Sequence, residues 1–431
     1  MAKPNLALIP ATIGDKVYSI LPSDGVGDFD FDRADGSSPT GVTRINAQGL
    51  IEEVASGENR LNYPLLDGEV VGCPHLLLEP QRANIFQRSE EFSNAYWDIS
   101  RIETPYIADV VSPDGTLNAY TLEISNGETN GGGVYRTGIS ISGDNSWSVF
   151  AKKKTANYLV LADTGTTTNA VYFDLENGTV GTTYNATGEM QDFGNGWYRC
   201  TMKYTLTSSG IKFIYLSNLD GATNGGVQGG DSIYIYGAML EQGSYPTSYI
   251  KTTNQAVTRA AETCNGSGNA ATFNDSEGVL MTEISALADD GDFDVIAISD
   301  GGDLNRVAID YNNANKIRAF YSIGGNVTGR FFTIDYDIKL NAKICFKYKV
   351  NNFAVWINGF ELGSSNSGAV LSGNNFDVLN FNFGANNGGD FYGKTKQLQY
   401  FDSALSDTEL EQLTSWDSFR AMAEGQLYTI E

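Results

Sequence analysis

The stretch Ser232–Glu262, SIYIYGAMLEQGSYPTSYIKTTNQAVTRAAE, decides the fold. Ile233 and Ile235 alternate with Tyr234 and Tyr236, the period of two that sends successive side chains to opposite faces of a sheet. Gly237 is expected to interrupt that strand. Met239 and Leu240 add apolar surface, and Gly243 and Pro246 break the run. From Tyr249 to Glu262 the chain is polar and rich in Thr and Ala, and it leads directly into a second run of strands. The stretch therefore reads as the last strand of one β-sandwich and the seam to the next.

Upstream, strand patterns recur at sandwich spacing from Ala95 to Tyr249: Ala119 to Ile124, Trp147 to Lys152, Tyr158 to Ala162, Ala170 to Leu175, Trp197 to Leu206 and Lys212 to Leu216. Glu176-Asn177-Gly178 and Gly194-Asn195-Gly196 are turns between them, and a jelly roll fits the set. Downstream, a second sandwich is expected from about Ala270 to Thr414. Ile344, Phe346, Tyr348 and Val350 alternate with Lys343, Cys345, Lys347 and Lys349. Phe353, Val355 and Ile357 then return after Asn351-Asn352, and Asn358-Gly359 is a type I′ hairpin signal. One helix closes the chain: Ser406 and Glu409 form a capping box, with Leu405 and Leu410 as its hydrophobic staple.

Residues 1–82 read differently, as a leader of short apolar runs (Leu6 to Ile9, Val17 to Leu21) and an alternating segment in which Phe29 and Phe31 face away from Asp28, Asp30 and Asp32. These pieces are too short to enclose a core. They should pack against a neighbouring domain, another copy or a larger assembly. The expected organisation is all-β: an extended N-terminal anchoring module at 1–82, then two β-sandwich (jelly-roll) domains at 83–262 and 263–431, with a short C-terminal helix.

Composition narrows the function classes. An apolar share of 41% supports packed cores, and 48 Gly, 23 Tyr and 22 Phe against 10 Pro suit many short strands with tight turns. The 28 basic and 52 acidic residues give a net charge of −24, and Lys152-Lys153-Lys154 is the longest basic run, so no nucleic-acid or anionic-membrane surface is expected. The acidity serves solubility or, in part, calcium binding. Cys73, Cys200, Cys264 and Cys345 have no metal or redox spacing. No signal peptide is read, and no apolar run approaches the roughly 20 residues that cross a bilayer, so synthesis in a cytosol is expected.

Three stretches together resemble bacteriophage virion appendages, the fibre or spike proteins. The leader carries Phe31-Asp32-Arg33, Ile45-Asn46, Gly49-Leu50-Ile51-Glu52 and Leu76 to Asn84 (LLLEPQRAN). The middle resembles a carbohydrate-binding-module-like sandwich through Glu91-Phe92-Ser93-Asn94, Gly194 to Cys200 and Tyr236-Gly237-Ala238-Met239-Leu240-Glu241 running to Thr258-Arg259-Ala260-Ala261. The end resembles a concanavalin A/laminin G-type domain through Trp356-Ile357-Asn358-Gly359 and the closing helix. The resemblance implies a homotrimer on the virion surface, held by other virion proteins through the N-terminal module and presenting its sandwiches to a host cell-surface glycan. Alternatives are a virion-borne glycan depolymerase and a purely structural connector.

Few residues promise chemistry. His75 is the sole histidine, beside Pro74, and no G-x-S-x-G elbow occurs, so a histidine-based hydrolase is not expected. Two carboxylates would suffice for a glycosidase, but no local pattern selects a pair. For sugar stacking, Trp147 and Trp197 read as core, leaving Trp356 as the candidate. For Ca²⁺, the oxygen-rich turns Asn274-Asp275, Asp289 to Asp292 and Asp300-Gly301-Gly302-Asp303 offer Asp275, Asp300 and Asp303; each is also an ordinary turn.

Overall fold

The computed structural model describes residues 2–10, 17–20, 29–33, 41–108, 110–165, 167–206, 210–222, 224–327, 332–373, 375–384 and 388–416. Asp28 and part of the leader lie outside them. The described chain is all-β apart from one helix, Asp407–Ser415.

The first sandwich has two antiparallel six-stranded sheets. One runs Asp98–Ser100, Gly132–Arg136, Ile211–Ser217, Tyr158–Thr164, Thr168–Asp174, Thr179–Tyr184. The other runs Tyr106–Ile107, Tyr120–Glu123, Ser232–Gln242, Gly143–Lys153, Trp197–Leu206, Thr187–Asp192. Alternate residues fill the space between, among them Trp147, Val149, Leu159, Leu161, Phe173, Ile214, Ile233 and Ile235, all fully buried. Gly237 does not end its strand. It takes a positive φ of 57°, opposite a register shift between Ser148 and Phe150, and the strand continues to Gln242. The glycine absorbs a bulge, so the pairing survives it.

In the second sandwich a nine-stranded sheet faces one built on Ile317–Ile323, Arg306–Tyr311, Asp294–Ser299 and Val378–Asn380. In the large sheet Gly393–Phe401, Glu277–Ala286, Ala342–Lys349, Phe353–Ile357 and Phe360–Ser365 lie side by side. Ile344, Phe346, Tyr348, Phe353, Val355 and Ile357 point into the core, as their alternation requires. Val350 lies past the strand end and is 54% exposed. Asn358 and Gly359 have φ of 49° and 87°, the two positive values of the expected turn. The capping box forms: Glu409 N–H donates to Ser406 Oγ at 3.4 Å and Ser406 N–H donates to Glu409 Oε2 at 3.0 Å.

The leader finds its neighbour within the chain. Leu6–Pro10 pairs antiparallel with the outer side of Gly393–Phe401, Leu8 opposite Leu398. His75–Leu78 pairs with the other half of that strand, Leu77 opposite Lys394. Leu6 and Leu8 enter the sandwich core, whereas Ala7 and Ile9 pack with Trp416 on the opposite face. An unbroken apolar run is what a strand covered on both faces needs. Asp30–Arg33 pairs with Glu262–Asn265, so Phe29 and Phe31 lie against the same core while Asp30 and Asp32 are exposed or nearly so.

Where these segments cross, five charged side chains interlock. Arg60 Nε donates to Glu262 Oε1 at 2.7 Å, and its Nη2 also meets Glu262 Oε2 and lies 2.7 Å from Glu79 Oε2. Arg259 Nη1 reaches Glu79 Oε2 at 2.8 Å, and Arg33 reaches Glu262 at 3.5 Å. All five side chains are at most 5% exposed. Burial works against the Glu79 anion, but Arg259, Arg60 and two hydrogen bonds from Ser248 hold its carboxyl well below the usual range. Buried charges persist only when so paired. The motif-bearing segments around Arg33, Glu79 and Arg259 thus form a clasp joining the leader to the seam between the sandwiches.

Candidate binding groove

Alternation on the first sandwich has a second consequence. Because Val134, Ile214, Leu161, Val171 and Phe173 point to the core, their neighbours Gly133, Tyr135, Phe213, Tyr215, Ala162, Ala170 and Tyr172 point outward. All of these but Tyr135 line, together with Tyr184, an open concavity of about 580 Å³, within the range of ligand sites. Its floor is cleared by small residues. A Cβ on Gly133 would collide with the Ile214 carbonyl and come within 2.5 Å of Tyr215 Cα, and one on Gly131 would lie 3.2 Å from the Tyr215 ring. Only glycine lets that strand lie so close.

The aromatic walls are held in place. The Tyr172 and Tyr215 hydroxyls are 3.2 Å apart, and Tyr172 also donates to the Ala222 carbonyl at 3.2 Å. Tyr184 donates to the Gly221 carbonyl at 2.9 Å, and its ring stands edge-on to Tyr172 with centroids 6.4 Å apart. Burial, with Tyr172 alongside, pushes the Tyr215 hydroxyl well up, so it stays a neutral donor. Tyr184 is 43% exposed and offers a free ring face. Polar groups ring the mouth: Arg101, Thr164, Thr167, Thr168 and Asn185. Arg101 sits at φ 58°, a left-handed backbone unusual for its type, with its guanidinium donating to the Gly131 carbonyl at 3.2 Å. Apolar ring faces bordered by hydroxyl, amide and guanidinium groups suit an amphipathic polyhydroxylated ligand.

The residues selected from the sequence lie elsewhere. Trp356 is 8% exposed, packed with Cys345, Met281, Leu410 and Leu413 beneath the helix, so it has no face for a sugar. This corrects the expectation: Trp356 alternates away from the sandwich core, but the helix covers that side. Trp147 and Trp197 are buried, Trp197 on the outer face of its sheet against Ile51, Phe150 and Tyr236. Asp275 is fully buried, and its carboxylate is occupied by protein donors: Asn375 N–H at 2.7 Å, Asn375 Nδ2 at 2.5 Å and Phe376 N–H at 2.9 Å. Asp300 ties its own turn, accepting from Gly302 N–H at 3.0 Å and Asn305 Nδ2 at 2.6 Å. Asp303 is part of the same loop, near Arg306. Among the described residues no three of His, Cys, Asp and Glu gather as metal ligands. His75 is buried in its strand, and burial with Lys394 and Lys396 nearby holds it well below its usual range, so it is neutral. No helix among the described residues is long and apolar enough to cross a membrane.

The groove holds no tryptophan, the residue type expected for sugar stacking. Its signal was the Gly131-Gly132-Gly133 run with Tyr172, Phe213 and Tyr215 at outward strand positions.

The fold is thus that of a two-sandwich β-protein. No protein-family model matches the chain, and no curated sequence does. Partial likeness is found to solved sandwich structures. A Ruminococcus gnavus sialidase carbohydrate-binding module of the CBM40 type, bound to α2,3-sialyllactose, shares 13% identity at TM-score 0.30 over 35% of this chain and 93% of that one. The mouse laminin α1 chain domains LG4-5 share 9% at 0.22 over 65% and 90%. A Trypanosoma rangeli sialidase with sialic acid shares 8% at 0.28 over 77% and 63%. Likeness of this degree assigns neither ligand nor reaction.

Proposed function

We propose that the chain is a non-enzymatic glycan-binding protein of a bacteriophage virion, a fibre or spike that takes host-surface sugar in the groove of its first sandwich. The observation that carries the glycan half is the groove itself: about 580 Å³, glycine-floored, walled by Tyr172, Tyr184, Phe213 and Tyr215 and rimmed by hydrogen-bonding groups. The virion half rests on the three sequence stretches, with mounting on other virion proteins through N-terminal residues and a homotrimeric state. Weak single sites become strong attachment when several copies act together. A glycan array probed with the full chain should show binding that Tyr184→Ala and Tyr215→Ala reduce about tenfold or more. Undiminished binding by both variants would overturn the assignment of the groove. Light scattering tests the trimer, and the position of the chain on a particle tests the virion assignment.

One observation favours a second reading, a glycan depolymerase. Tyr236 Oη lies 2.8 Å from Glu90 Oε1 and 3.1 Å from Asp114 Oδ2, so two carboxylates flank one hydroxyl beside a cavity of about 180 Å³. Burial raises Glu90; it works the same way on Asp114, but hydrogen bonds from Ser112, Thr116 and Asn118 bring Asp114 down, a separation of the kind acid–base pairs use. Shortening of host polysaccharide by the wild type but not by Glu90→Gln would favour it; intact chains would exclude it.

A further inference from the structure

A third cavity, of about 200 Å³, lies where the leader and the two sandwiches meet. The leader contributes Arg44, the first sandwich Phe150, Phe193, Arg199 and Tyr249, and the second sandwich Lys394. Its charge is unlike that of the rest of the chain. In a protein of net charge −24, this cavity gathers three cations, and two of them lack a carboxylate. Arg199 spends Nε and Nη2 on one neutral acceptor, Ser148 Oγ, at 3.2 and 3.0 Å, and otherwise lies over the Phe150 ring at 5.7 Å. Lys394 stands at the cavity wall, its strand paired on both sides, and no acidic side chain among the described residues comes within ion-pair distance of its ammonium. Arg44 is matched by Glu52 at 3.2 Å. Glu79 also lines the cavity, but its carboxylate is engaged by Arg60, Arg259 and Ser248.

Burial lowers the Arg199 guanidinium although Glu241, Glu79 and Glu189 favour its charge, and the surrounding protein lowers the Lys394 ammonium against the pull of Glu79, although that residue reaches solvent. A bound anion would supply the missing partner, with a planar fork on one side and a point charge on the other. The rings of Phe150, Phe193 and Tyr249 make one part of the wall apolar, and Thr43, Asn62 and Gln191 add neutral polar groups.

We propose that this cavity binds an oxyanion, a carboxylate or sulfate group, between Arg199 and Lys394, and that its occupation ties the second sandwich to the first. The site is separate from the groove and stands whether or not the groove takes glycan.

The test is calorimetric titration of the full chain with sodium glucuronate and with sodium sulfate at constant ionic strength, beside a thermal melt in each. Saturable binding should fall about tenfold in Lys394→Gln and in Arg199→Gln and persist in Tyr184→Ala, which alters only the groove. Binding of both anions identifies a general oxyanion site, and binding of glucuronate alone identifies a sugar-acid site; either supports the proposal. Absence of saturable binding, or binding that Lys394→Gln leaves unchanged, overturns it. Lys394 stands at an exposed position, so that variant should stay folded and keeps the test decisive if Arg199→Gln does not.

Discussion

Leu8→Ala tests whether the N-terminal segment is part of the second sandwich. Leu8 is fully buried, lies opposite Leu398 and belongs to the same core as Leu280, Ile344 and Tyr400. Truncating a fully buried leucine removes its transfer energy and leaves a cavity, about 2.7–5 kcal/mol in comparable cores. At about 3 kcal/mol the opening equilibrium shifts by roughly 150-fold. The assay is native-state hydrogen exchange. Amides of Gly393–Phe401 and Glu277–Ala286 should exchange about 100-fold faster in the variant, while those of Tyr158–Thr164 and Thr168–Asp174, in the outer sheet of the first sandwich, keep wild-type protection. Unchanged exchange in Gly393–Phe401 would refute the reasoning, because a leader folded apart from that strand could lose a side chain without loosening it.

Three further outcomes follow from the same physics. Glu79→Gln leaves Arg60 and Arg259 buried beside a neutral group and should cost about 3–5 kcal/mol in a denaturant titration. In the wild type the Glu79 carboxyl is depressed on folding, so its contribution is present above the unfolded carboxyl value, near pH 4.3, and is lost as pH falls toward the folded one. Asp294 is the opposite case: burial, then the neighbouring Asp290 and Asp292, push it up to about 8, while Tyr392 N–H donates to it at 2.7 Å. The folded state then holds a proton the unfolded state has released, so stability falls as pH rises from about 4 to 8. Asp294→Asn, which keeps the acceptor, should stabilise the protein by up to about 5 kcal/mol at pH 8 and little at pH 4. Ser406→Ala removes the helix N-cap and should cost about 1 kcal/mol, read as earlier exposure of Trp356, which the helix covers.

Much of the fold is legible because it is local. Period-two alternation in Trp197–Leu206 and Ala342–Lys349, the Asn358-Gly359 turn and the Ser406/Glu409 cap each need only a few neighbouring residues. Where a local rule failed, a distant partner had prevailed. Gly237 reads as a break, yet a bulge in the pairing with Gly143–Lys153 carries the strand past it. Trp356 reads as outward-facing, yet a helix some fifty residues later closes over it.

By itself, the sequence determined that the chain is all-β, which residues of strands such as Ala342–Lys349 and Phe353–Ile357 share a face, and that the first eighty residues are too broken to enclose a core of their own. Only the tertiary structure decided where those residues go: to the open side of Gly393–Phe401, nearly four hundred positions away, and into the Arg60–Glu79–Arg259–Glu262 clasp. It also decided that Tyr172, Tyr184, Phe213 and Tyr215 share one concave face. The physical reason is that alternation fixes which side of a strand a residue takes, whereas strand order, set by pairing between distant segments, fixes which residues meet there.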